Sequence, residues 1–199
     1  MSDPNVPRLG SEPPRRGNAF TYWLAVTAMR LSGWRFEGAL PNVKKFVLIV
    51  APHTSNWDFP IGIMAMFALQ VRGTFLGKDT LFKWPLGILM RWLGGAPVDR
   101  SHAHNVVDQT VQLFHDREGI VLALSPEGTR KRTEKWRTGF YWVARGAGVP
   151  IVPVAFDFPQ KCIRIHPPEY PTGDAEADII KLRAHFRSEM ARYPAQYGP

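Results

Sequence analysis

Three stretches of the chain are apolar at almost every position and rich in β-branched residues: "KKFVLIVA" (44–51), "IVLALS" (120–125) and "VPIVPVAFDF" (149–158). A strand with one face in water alternates polar and apolar side chains, so continuous runs of this kind demand burial on both faces. A mainly parallel sheet covered by helices on each side meets that demand. The segments between supply the helices. "AFTYWLAVTAMRLSGWRF" (19–36) reads as a helix ending near Gly33, and "FPIGIMAMFALQV" (59–71) as a second. "LFKWPLGILMRWLGG" (81–95), with Pro85 in its first turn, "HNVVDQTVQLFHDREG" (104–119), "GFYWVARGAG" (139–148) and "DAEADIIKLRAHFRSEMARY" (174–193) follow. "GTFLGK" (73–78) and "KCIRIHPP" (161–168) add strands, and "APVDR" (96–100) a short strand or turn. The alternation predicts an α/β fold: a single layered domain with a mainly parallel central sheet flanked by helices.

A chain of 199 residues suits one domain with a sizeable core. Residues 1–18, rich in Pro, Gly and Arg, read as a flexible arm, and 19–199 as the domain. With 45% hydrophobic and 21% charged residues the chain is globular. The single cysteine, Cys162, excludes an internal disulfide framework. No Cys/His cluster has zinc-ligand spacing, and nothing calls for a metal or cofactor. A spanning helix needs about 18 uncharged apolar residues, a run this sequence lacks, and "MSDPNVPRLGSEPPRRGN" has no apolar centre of a signal peptide. The expectation is a cytoplasmic protein lying on a membrane without crossing it. The net charge of +8 favours acidic partners such as anionic lipid, nucleic acid or phosphorylated metabolites. Seven Trp and twelve Phe, several close to Lys or Arg, suit a membrane interface; the same rings can stack on bases or simply form core.

Two loops follow buried strands directly, where ligands bind in α/β sheets: "APHTSNWD" (51–58) and "SPEGTR" (125–130). The first has a purely structural reading, with Ser55 as helix N-cap and Asp58 at the third helical position. It leaves His53 without a purpose. If the chain folds back, Asp58 takes the Nδ1 proton of His53 and frees Nε2 as a general base, the orienting role of a carboxylate in hydrolase triads. No serine sits on a nucleophile elbow, so the hydroxyl acted on belongs to a substrate. In the second loop, Arg130 stands at a strand end beside Glu127, Gly128 and Thr129, and Arg100 brings a third loop. Converging guanidinium groups suit a bidentate grip on phosphate. Lys131, Arg132, Lys135 and Arg137 read as a solvated basic face.

Taken together these segments resemble the glycerolipid acyltransferase family of 1-acylglycerol-3-phosphate and glycerol-3-phosphate acyltransferases. Its His-x-x-x-x-Asp motif falls on His53 and Asp58, and its Gly-…-Asp-Arg block on "GGAPVDR" with Asp99 and Arg100. The Pro-Glu-Gly-Thr-Arg block falls on Pro126 to Arg130, and the Val-Pro-Ile-Val-Pro-Val block on 149–154. The resemblance covers roughly 40–160, with Pro52 where the family commonly has Asn and Ser125 where it has Phe.

The resemblance implies an O-acyltransferase in which His53, oriented by Asp58, deprotonates a hydroxyl of a phosphate-bearing glycerolipid acceptor of the lysophosphatidate type. That oxygen attacks the thioester of acyl-CoA or acyl-carrier protein, the co-substrate. Glu127, Gly128, Thr129, Arg130 and Arg100 would form the acceptor-phosphate site. Phe82, Trp84, Leu89 and Trp92 would contact the acyl chain or an anionic membrane, peripherally and on its inner face; no nucleic-acid partner is expected. Two other readings use the same residues: a thioesterase or lipid hydrolase in which the His–Asp pair activates water, and a non-catalytic lipid-binding protein.

Overall fold

The computed structural model describes residues 3–98 and 103–198. The three apolar runs become β2 (Lys45–Ala51), β5 (Ile120–Leu124) and β6 (Ile151–Asp157), adjacent at the centre of a seven-stranded sheet. Beyond β5 lie β3 (Gly73–Lys78) and β4 (Gly95–Val98); beyond β6 lie β7 (Cys162–Ile165) and β1 (Arg35–Glu37). Every pairing is parallel except β6 with β7, so the sheet is mainly parallel as expected.

Side chains along a strand alternate between faces, and the two cores divide accordingly. Phe46, Val121, Val152 and Ile163 meet α1 (Ala19–Ser32) and α2 (Asp58–Ala68). Val47, Ile49, Ile120 and Leu122 meet α4 (Ala103–Asp116), α5 (Gly139–Ala147) and α6 (Ala175–Arg183). Each such aliphatic side chain, fully buried, contributes about 1.5–3 kcal/mol, which is why near-continuous apolar strands select this three-layer arrangement. The short α3 (Leu86–Trp92) gives Met90 to a small core with Phe82 and Leu93, against which Phe75 of β3 and Phe59 of α2 pack.

Local signals account for several boundaries. α1 opens on a reciprocal pair of hydrogen bonds between Asn18 and Thr21 and closes at Gly33, where φ is 78°. The helix thus ends where the sequence predicts, and past that glycine the chain forms β1, with Arg35 opposite Cys162. The predicted helix over 174–193 ends at Arg183, where His185 turns to bond Glu169 at 2.6 Å. A 3-10 turn then carries Met190 into the core the helix would have reached.

Residues 3–18 do not stand off as an arm. The Arg16 N–H donates to Gln70 O at 2.9 Å, and the Arg72 N–H donates to Pro14 O at 2.8 Å. The buried Asp3 carboxylate pairs with Arg30, and its N–H donates to Tyr22 Oη at 2.8 Å. Proline and glycine there reflect an irregular path over the surface, not freedom from it.

Candidate active site

β2 and β5 are neighbours in parallel register, Ile49 opposite Leu124. Their following loops therefore leave the same end of the sheet, which brings His53 and Glu127, 74 positions apart, into direct contact. The His53 N–H donates to Glu127 Oε1 at 2.6 Å.

In 53–58 the Asp58 carboxylate meets both the loop backbone and the imidazole. Asp58 is the first residue of α2, not the third, yet its Oδ2 accepts from the Ser55 N–H at 3.0 Å, as a capping carboxylate does. The same oxygen lies 2.9 Å from His53 Nδ1. Ser55 Oγ in turn accepts from the Trp57 N–H at 3.1 Å. Asp58 is 3% exposed, and among the described residues none bonds to His53 Nε2. One buried carboxylate thus fixes both the loop and the imidazole, and leaves the other ring nitrogen available.

His53, Asp58, Gly128, Thr129 and Arg130 line one cavity of about 1440 Å³. The turn that carries the last three is closed by the Gly128 N–H donating to Ser125 O at 3.1 Å, and Thr129 Oγ1 accepts from the Lys131 N–H at 3.2 Å. Gly128 has φ of 64°, and a Cβ there would sit 2.7 Å from Arg137 Cδ and Nε. The left-handed backbone calls for glycine there, and the arginine side chain passes through the space a Cβ would take.

Glu127 differs from its sequence assignment. It is 2% exposed and is not among the cavity's lining residues; its carboxylate points inward to the His53 backbone. A carboxylate would repel a phosphate, so its place is behind the turn, joining the two loops. Burial pushes its carboxyl up to about 7, with the Asp58 charge adding to the rise and the His53 N–H opposing it. Two buried oxygens, Glu127 Oε2 and Asp58 Oδ1, have no hydrogen-bond partner among the described residues. Arg100, with Asp99, lies outside the described residues.

Of the four residues assigned to acyl or membrane contact, none lines this cavity. Phe82 is buried in the small core with Met90 and Leu93, while Trp84, Leu89 and Trp92 are exposed, Trp84 by 84%. The cavity is reached from that region by Leu81, Leu86 and Met90 instead.

The structure adds residues that sequence reasoning passed over. Lys131 and Arg137, read as solvated, line the cavity beside Arg130. A cation just before the start of α5 opposes the helix dipole, and that local conflict was the available signal. The Arg137 N–H donates to Pro126 O at 2.7 Å, which locks it over the turn. A second addition is the segment after α6. The Tyr193 N–H donates to Thr54 Oγ1 at 3.3 Å, and the Gln196 amide, assigned the orientation that satisfies both of its ends, donates from its nitrogen to Thr54 O and Arg130 O at 2.9 Å. Gln196 thereby bridges both loops of the site. Nothing in its sequence context marked it.

With this geometry in hand, comparison with known proteins is informative. The profile of the family described as Acyltransferase matches residues 20–157, more than half of the chain. A 1-acyl-sn-glycerol-3-phosphate acyltransferase of Haemophilus influenzae is 28% identical over 62% of this chain and 54% of its own length. One from Salmonella typhimurium is 32% identical over 75% of this chain and 67% of its own. Among solved structures, the 1-acyl-sn-glycerophosphate (LPA) acyltransferase PlsC of Thermotoga maritima superposes with a TM-score of 0.59 at 20% identity, covering 83% of this chain and 74% of that one, and shares the fold. The curated relatives extend well beyond the matched region, one of them by nearly half its length. The family match, the shared fold and the motifs around His53 and Arg130 agree: this chain belongs to the acyltransferase family.

Proposed function

We propose that the protein transfers a fatty acyl group from a thioester, of CoA or of acyl-carrier protein, to a free hydroxyl of a lysophosphatidate-like acceptor. The observation that carries this is the His53 imidazole, tied through Nδ1 to Asp58 at 2.9 Å, lining one cavity with Arg130. His53 Nε2 takes the hydroxyl proton as the acceptor oxygen attacks the thioester carbonyl carbon. The C–S bond then breaks, and the departing thiolate takes that proton back from the imidazolium. Asp58 holds the ring in the required tautomer and steadies its charge. The acceptor phosphate lies against Gly128, Thr129 and Arg130, with Lys131 and Arg137 beside it; among the described residues no carboxylate pairs with these three cations. The incoming chain is kept from solvent in the apolar space beneath α2, where Phe59, Gly62 and Met66 line the cavity.

Both substrates are amphiphiles, and a surface suits their delivery. Phe20, Trp23 and Leu24 of α1 and Ile88, Leu89 and Trp92 of α3 are exposed, and the Arg16 guanidinium lies 4.9 Å from the Trp92 ring centroid. Aromatic and aliphatic side chains interspersed with arginine favour an anionic bilayer interface. The proposed contact is peripheral; among the described residues no helix is long and apolar enough to cross a membrane.

The deciding experiment supplies labelled acyl-CoA, and separately acyl-carrier protein, with and without lysophosphatidate, and identifies products by mass spectrometry. Phosphatidate formed only when acceptor is present supports acyl transfer. Free fatty acid released at the same rate without acceptor would instead establish a hydrolase, and no turnover of either donor a binding protein.

A further inference from the structure

After α2 the chain reverses at Gln70, where φ is 55°, a left-handed value that a non-glycine residue adopts at a cost. The reversal lays residues 70–72 antiparallel to 14–16. The Arg16 N–H donates to Gln70 O, the Arg72 N–H donates to Pro14 O, and Arg15 stands opposite Val71. Buried Val71 anchors the turn. Arg16 and Arg72 are then diagonal neighbours across the pairing, a spacing that long side chains bridge. Arg72 is exposed and Arg16 half-buried.

Two like charges are thereby held together, and among the described residues no carboxylate pairs with either. The Arg16 guanidinium lies 5.1 Å from the Phe67 ring centroid and 4.9 Å from that of Trp92. Burial first, and the charge of Arg72 second, hold it below the usual arginine range. Stacking on two rings accounts for one cation in this place. It gives no reason for a second beside it, because neighbouring like charges across paired strands are destabilising. An anion shared between them removes that conflict, and two guanidinium forks suit the oxygens of a phosphate.

The surroundings identify where that phosphate comes from. Trp92 is exposed, as are Ile88 and Leu89 one turn before it on α3. A Cβ at Gly17 would lie 3.6 Å from Phe67 Cδ1, so α1 begins against the same ring. Its first turn exposes Phe20, and the next exposes Trp23. Aromatic and aliphatic side chains beside arginine fit the depth at which lipid head groups meet the hydrocarbon; a water-soluble phosphate gains nothing from them. Resting on the peripheral membrane contact proposed above, we propose that Arg16 and Arg72 together bind the phosphate of an anionic lipid head group. Neither arginine lines the cavity at His53, so this site is separate from the phosphate site at Arg130. It fixes how the apolar faces of α1 and α3 sit on the bilayer.

Arg16→Gln, Arg72→Gln, the double variant and Arg16→Lys are compared with wild type by co-sedimentation with two kinds of vesicle. One is phosphatidylcholine alone, the other equal parts phosphatidylcholine and phosphatidylglycerol. Arg72→Gln keeps the backbone N–H that bonds Pro14 and guards against a folding defect in Arg16→Gln. General surface charge predicts a loss of about fivefold for each cation removed, multiplying in the double variant, and none for Arg16→Lys. A shared phosphate predicts about a twentyfold loss for each single variant on the mixed vesicles, from its charge-assisted hydrogen bonds. The double variant should then lose little more than either single one. Arg16→Lys, which keeps the charge without the fork, should still lose about fivefold. On phosphatidylcholine alone all variants should match wild type. Losses that multiply in the double variant, or full binding by Arg16→Lys, overturn the proposal. So does release of wild type from the mixed vesicles by millimolar glycerol 3-phosphate at matched ionic strength, which would make this a site for a free anion. Wild type that sediments with neither vesicle ends the membrane contact itself, whereas bound wild type with indifferent variants ends this site alone.

Discussion

Replacing Glu127 with glutamine removes a buried charge while keeping an oxygen in reach of the His53 N–H. In the folded protein this carboxyl titrates at about 7, against an ordinary value of 4.5, because it is buried and stands near Asp58. Between those values the folded state holds a proton that the unfolded chain has lost. Its contribution to stability is therefore present in full below about 4.5, falls as pH rises, and levels off above about 7. At about 1.4 kcal/mol per pH unit the loss amounts to about 3 kcal/mol. Glutamine does not titrate, so Glu127→Gln should gain about 3 kcal/mol on wild type between about pH 4.5 and about pH 8. Urea unfolding of the two proteins at a series of pH values measures this, since titrating groups, other than those coupled to Glu127 as His53 and Asp58 are, cancel in the difference. A difference that stays constant across the range would refute the assignment of a raised carboxyl at this position. Turnover gives a second reading. The glutamine oxygen still accepts the His53 N–H, whereas Glu127→Ala leaves that donor unpaired, so alanine should be the more damaging replacement to kcat.

Four further outcomes follow from the site. His53→Ala should lower acyl transfer by about 10²–10⁴ with an unchanged unfolding midpoint; turnover near that of wild type ends the general-base assignment. Arg137→Ala should raise KM for a phosphorylated acceptor about as much as Arg130→Ala does, with kcat little changed; an unaltered KM removes Arg137 from the phosphate site. Gln196→Ala removes two hydrogen bonds of about 0.5–1.5 kcal/mol each, so kcat should drop several-fold while Gln196→Lys, which keeps a donor, restores part of it; equal activity in all three proteins would make Gln196 a passive surface residue. Trp23→Ala together with Trp92→Ala should weaken co-sedimentation with anionic vesicles while leaving turnover in detergent unchanged, and unaltered sedimentation would move the membrane contact elsewhere.

Much of this architecture was legible because burial writes itself into consecutive residues. The runs at 44–51, 120–125 and 149–158 could only be central strands, and the loops after the first two could only leave from one end of a parallel sheet. What could not be read was direction. Glu127 and Arg130 are three residues apart and were assigned together, but one faces the interior and the other the cavity. That choice is made by Gly128 and by the His53 N–H, a contact 74 positions away. Arg137 was misread for a similar reason. Its surroundings in the sequence are charged and look solvated, and only the tight turn at Gly128 brings it over the site. β1 was missed because three residues of strand carry no periodicity, and the segment after α6 because its bonds to Thr54 and Arg130 use one side chain and the backbone.

That segment has a practical meaning for anyone who trims or grafts this protein. The match to the family profile stops at residue 157, and a fragment cut there would retain every recognisable motif. It would also lose Tyr193 and Gln196, and with them the rung that keeps the backbones of Thr54 and Arg130 a set distance apart. Such a fragment would look intact to any comparison of motifs and still hold its base and its anion grip out of step.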